Sequence, residues 1–127
     1  MSHRHFGFQL VGQVAVVRFS VQQFRDQSLI DEFGQDLHAL LEVDGHKRFV
    51  INFSATRLLS SAVTNQIVGL QRKVEKLGGG VRLCHIPDGV MSVYRTQRLV
   101  MDGPDSYFKV FDAEGTAIVT PWPDPRV

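Results

Sequence analysis

The chain has 127 residues, 43% of them hydrophobic and 21% charged, with 14 Lys and Arg against 13 Asp and Glu. That length fits one domain, residues 1–127, with a core burying roughly two thirds of the surface the unfolded chain exposes. The near balance of charge argues against a nucleic-acid protein, which carries a basic stripe, and no stretch approaches the ~20 apolar residues of a membrane span. The opening MSHRHFGFQL has no apolar run behind its basic residues and does not read as a signal peptide. The single cysteine, Cys84, lies in the apolar run VRLCHI, where a buried reduced thiol is expected. These features predict a cytoplasmic, single-domain protein without direct membrane insertion.

Phe6, Phe8 and Leu10 alternate, and Val14 to Phe19 is rich in β-branched and aromatic residues, so two strands are expected with Gly12-Gln13 as their turn. VQQFRDQ reads as a polar loop. SLIDEFGQDLHALLEVDG reads as a helix, with Ser28 as N-cap, Asp31 and Glu32 in the first turn, and Leu29, Phe33, Leu37 and Leu40 on one buried stripe; Gly34 weakens it from inside. KRFVINFS is a nearly continuous apolar strand of the kind found inside a sheet. Val63, Ile67, Leu70, Val74 and Leu77 mark a second helix, with Arg72, Lys73, Glu75 and Lys76 toward solvent and Gly78-Gly79-Gly80 as its stop. VRLCHI is a further strand. PDGVMSVYRTQRLV is a helix with Pro87 at its start and Val90, Val93 and Tyr94 facing inward. MDGPDS is a loop, YFKVF a last strand and DAEGTAIV a short helix. The Pro-rich tail, 119–127, is expected to be extended or disordered. The order β-β-α-β-α-β-α-β-α implies an α/β domain: right-handed βαβ units and a mostly parallel sheet, made mixed by its first hairpin.

The common chemistries find no support. The triple glycine follows a helix, at the wrong end of the dipole for a phosphate loop, and no Lys-Ser/Thr comes after it. The five histidines, His3, His5, His38, His46 and His85, show no helical metal spacing with a carboxylate, and the only thiol stands alone, so neither a metal nor another cofactor is expected. A nucleophile elbow G-x-S-x-G is absent. Catalytic residues are therefore not assigned, and the chain is not read as an enzyme. Six of the nine phenylalanines, Phe6, Phe8, Phe19, Phe33, Phe49 and Phe53, fall at core positions of predicted elements. Phe24 instead sits in a polar loop, as either a contact residue or an anchor onto the core.

The stretch LLSSAVTNQIVGL feeds a loop into the second helix through two adjacent serines, Ser60 and Ser61. One hydroxyl suffices to cap a helix. From Val50 to Ile86 the chain resembles a STAS domain, the fold of bacterial anti-sigma factor antagonists. The resemblance rests on Ile51-Asn52-Phe53 at a strand end, a helix opening on the serines, the Gly78-Gly79 stop and Cys84 in the next strand. Order and length of the other elements extend it over most of the core, 6–118, although MDGPDS is longer than the family's loop. The gap-free alignment puts Ser60 at the family's Asp and Ser61 at the serine its kinases phosphorylate; Ala62 and Val63 replace a Ser/Thr and a Gly. A shifted register, with Ser60 as acceptor, costs a gap elsewhere.

The resemblance implies a regulatory binding module. Its partner is an anti-sigma factor, often a serine kinase, and phosphorylation at Ser61 ends the binding. Arg57, Ser60, Asn65 and the Gln22–Gln27 loop with Phe24 are the implied recognition contacts. The same resemblance admits an unphosphorylated subunit bound to a transporter ATPase, or a scaffold in a sensory complex.

Overall fold

The computed structural model describes residues 6–19, 27–56, 61–103 and 106–122. Five strands form one sheet in the order β1-β2-β3-β4-β5: β1 (Phe6–Val11), β2 (Val14–Phe19), β3 (Arg48–Asn52), β4 (Gly80–Cys84) and β5 (Lys109–Phe111). β1 and β2 are antiparallel across a turn at Gly12, whose φ of 60° suits glycine. The pairs β2–β3, β3–β4 and β4–β5 are all parallel. Each parallel strand is followed by a helix: α1 (Gln27–Glu42), α2 (Ser61–Lys76), α3 (Asp88–Thr96) and α4 (Glu114–Val119). All four helices therefore start at the carboxyl edge of the parallel strands, the edge where open α/β sheets gather their functional groups.

Strand alternation sorts the side chains onto two faces. Ala15, Val17, Phe19, Phe49, Ile51, Val81 and Leu83 point into the main core, with Ile30, Phe33 and Leu37 of α1, Val63, Ile67, Leu70 and Val74 of α2, and Val90 and Tyr94 of α3. Val14, Val16, Val50 and Cys84 point the other way, into a smaller core closed by Ala117 of α4, with Ile118 and Trp122 against it. Cys84 is buried as expected, and burial pushes its thiol up to about 12.

Several expectations need correction. α1 begins at Gln27, so Ser28 is its second residue and no acidic side chain lies in the first turn; Gln27 donates to Asp31 one turn on, at 3.0 Å. Gly34 faces α2, where a Cβ would meet the far end of the Gln66 side chain. Leu77 lies past the end of α2 and Val93 on the outer side of α3, each 52% exposed. Phe8 is only half-buried, packing on His46, and Leu10 is exposed. Gly78 terminates α2 with φ 79°, whereas Gly80 is already β4. Gly79 passes so close to Lys47 that a Cβ would strike its carbonyl oxygen. Tyr107 and Phe108 precede β5 rather than belonging to it.

Of the tail, residues 119–122 are described: Val119 ends α4, and Thr120 leaves it in an extended conformation. Arg82, in the middle of the apolar-looking β4, is 1% exposed. Its guanidinium donates to the carbonyls of Ala117 (2.9 Å), Thr120 (2.7 Å) and Pro121 (2.6 Å). Trp122 stacks over it at 3.6 Å and donates its indole N–H to Ile118. A buried arginine thus ties residues 117–122 to the sheet.

Candidate functional site

Ser61 is the first residue of α2 and is exposed; Asn65, four residues on, shares its side of the helix and is exposed too. The opposite side of this turn is buried through Val63, Thr64 and Ile67. Thr64 and Tyr94 hydroxyls bond at 2.9 Å, pinning α2 to α3, and burial raises the Tyr94 phenol to about 12. Two turns further, the Gln71 side chain accepts from the Val81 amide (2.8 Å) and donates to the Tyr107 carbonyl (3.2 Å). α2 is therefore held by buried polar bonds as well as by its apolar stripe, and the exposed side of its first turn, at Ser61, stands on that base.

The first turn of α2 carries no acidic side chain. Helix N-termini present unpaired N–H groups and a positive dipole end, so an anionic group on Ser61 would be accommodated locally. Arg57, Ser60 and Phe24 lie outside the described residues; of the Gln22–Gln27 loop only Gln27 is described, and it opens α1. The structure thus brings Ser61 and Asn65 together. No group of three His, Cys, Asp or Glu among the described residues is arranged to hold a metal ion. No helix among them is long and apolar enough to cross a membrane.

A polar chain at the same edge went unassigned in the sequence. Asn52, the last residue of β3, accepts the Ser54 amide on Oδ1 (2.8 Å) and donates from Nδ2 to Glu114 Oε1 (3.0 Å). Arg18 of β2 grips the same carboxylate with Nε (2.7 Å) and Nη2 (2.8 Å), and reaches Gln9 with Nη1 (2.9 Å). The bonds from Arg18 hold the Glu114 carboxyl below the usual carboxylate range. Asn52 stands in the Ile51-Asn52-Phe53 pattern, which was the available signal; nothing in the sequence pointed to its partner 62 residues away.

No family model and no curated protein matches the chain by sequence. Solved structures do match by fold. A Thermotoga maritima protein described as a candidate anti-sigma factor antagonist superposes with a TM-score of 0.76, at 17% identity, over 89% of this chain and 91% of its own. The anti-sigma factor antagonist SpoIIAA in its unphosphorylated form gives 0.68 at 15% identity, over 90% of this chain and 94% of its own. Bacillus SpoIIAA in its phosphorylated form gives 0.67 at 19%, over 89% and 96%. The element order, the mixed sheet and these superpositions establish that the chain has the STAS fold, shared with anti-sigma factor antagonists.

Proposed function

We propose that this chain is a regulatory protein-binding module of the anti-sigma factor antagonist type. It captures an anti-sigma factor, itself a serine kinase, through the edge that carries Ser61, and phosphorylation of Ser61 releases it. It works in the cytoplasm, without catalysis of its own. The observation that supports this reading most is the place of Ser61: an exposed hydroxyl opening α2, on a fold shared with SpoIIAA, which occurs in unphosphorylated and phosphorylated forms. Phosphate adds nearly two negative charges and three acceptor oxygens. The helix terminus tolerates them, so the fold survives, while an apolar or acidic partner surface seated there is repelled. Arg57, Ser60, Asn65 and Phe24 supply contacts around it.

The test is a pull-down from the native host with wild type and Ser61→Asp side by side, partners being identified by mass spectrometry. A kinase-like anti-sigma factor held by wild type, and at least about tenfold more weakly by Ser61→Asp, is the expected result. Equal affinity of both forms for that partner would overturn the switch. A transporter ATPase caught equally by both would reduce Ser61 to a helix cap and make the chain a fixed subunit.

A further inference from the structure

We propose that residues 113–122, α4 with its flanks, form a strap that anchors the backbone just after β3, at Ser54, with Glu114 as the positioning residue acting through Asn52. Its regulatory meaning rests on the reading of Ser61 above; the physical coupling does not.

The strap is fastened at two ends. At its far end Arg82 binds the Ala117, Thr120 and Pro121 carbonyls and stacks under Trp122. At its near end Glu114 takes two bonds from Arg18 and one from Asn52. Between the two the apolar contact is small: Ala117 is fully buried, Ile118 packs partly against the second core, and Val119 is 77% exposed. A strap held mainly by directional polar bonds docks or releases as a unit.

Asn52 connects this strap to that backbone. It is 7% exposed, and its two amide atoms are both committed, the oxygen to the Ser54 N–H and the nitrogen to Glu114. Only this orientation satisfies both neighbours, because a backbone N–H needs an acceptor and a carboxylate needs a donor. Ser54 begins the segment that runs on to Ser61, and Thr56 then donates its amide to the Phe53 carbonyl at 2.9 Å. An aspartate at 52 would keep the acceptor for Ser54 but face the Glu114 carboxylate. Any share of Arg18 it attracted would be withdrawn from Glu114.

That isostere gives the experiment. Amide exchange is followed by NMR at Ser54 and at Ala117, whose amide bonds to the Ala113 carbonyl within the strap. Wild type is compared with Asn52→Asp, Glu114→Gln and the double variant, and emission from the single Trp122 tracks the strap. Asn52→Asp is expected to speed exchange at both amides by about tenfold, because repulsion from Glu114 turns the new carboxylate away from the Ser54 N–H and frees the strap, the scale of one charge-assisted bond. The double variant should restore both, because the amide introduced at position 114 can donate to the carboxylate introduced at position 52 and still accept from Arg18. Faster exchange at Ala117 with Ser54 unchanged would overturn the proposal, leaving the backbone at Ser54 held by its own turn. No change at either amide, or no restoration in the double variant, would overturn it as well. If Asn52→Asp fails to fold, Glu114→Ala removes the acceptor from a partly exposed site, and the same rise at Ser54 is required. The measurement needs no partner and no phosphate, so its failure is separate from any failure of the Ser61 reading.

Discussion

The two faces of the sheet are held by different physics. The face under α1, α2 and α3 is a continuous apolar core, with Phe19, Phe33, Phe53, Tyr94 and Phe108 in successive ring contacts. Its stability comes from area removed from water and close packing, which are non-directional and strongly cooperative. The opposite face buries four apolar sheet residues under a six-residue helix that adds only Ala117, and depends on two arginines, Arg18 and Arg82, that reach up to hold that helix. Directional bonds of this kind are lost one acceptor at a time, whereas a packed core fails as a whole. The first face therefore carries global stability, and the second the local order of the strap and of whatever the strap supports.

The sharpest way to break this contrast is a charge in the large core. Val74 is fully buried on α2, and Val74→Asp places an unpaired carboxylate there. The expected cost exceeds ~4 kcal/mol, enough to abolish the cooperative melt of a domain this size. A cooperative transition at the wild-type temperature in far-UV dichroism would contradict the core as described.

A smaller and more local loss is expected on the second face. Arg82→Met keeps most of the stem but leaves the Ala117, Thr120 and Pro121 carbonyls without their donor. The cost is about 2–4 kcal/mol, from unsatisfied carbonyls and the lost stack on Trp122. Trp122 emission should shift to the red below the global transition, while the far-UV signal persists. Coincident transitions by the two probes would show that the strap is not a separate unit.

The same contrast explains what could be read from the sequence. The main core was legible because periodicity is a sequence property: Leu37 and Leu40 on α1, Ile67, Leu70 and Val74 on α2, and the alternating strands all fall where spacing puts them. Val93 and Leu77 defeated the same rule, since an apolar residue at helical spacing still needs a neighbour to cover it. The opening of α2 at Ser61 was legible only through its pattern, a strand end, serines and a glycine stop. Arg82, Glu114 and Trp122 were not legible. A buried arginine looks like an interruption in an apolar run until its carbonyl acceptors, 35 to 39 residues away, are in view. Long-range polar pairing leaves no local period to detect.

The smallest effect concerns the seam between α1 and α2, where packing and polar bonding meet. His38 Nε2 lies 3.0 Å from the Gln66 carbonyl, and Lys73 Nζ lies 3.0 Å from His38 Nδ1 and 2.6 Å from Glu42. An ammonium can only donate, so Nδ1 is the acceptor and the neutral ring carries its proton on Nε2, donated to Gln66. Burial, reinforced by the Lys73 charge and opposed by the Gln66 bond and Glu42, lowers the His38 value below its usual 6.5. The unfolded chain then binds the proton more readily than the folded one. His38 therefore contributes stability that is complete above pH 6.5 and declines as pH falls from there toward its lower folded value. His38→Gln should flatten this part of the stability profile relative to wild type, the other four histidines being the same in both proteins. A wild-type profile that rises on acidification over the same interval, with the variant flat, would reverse the sign and show that Glu42 rather than burial governs the ring.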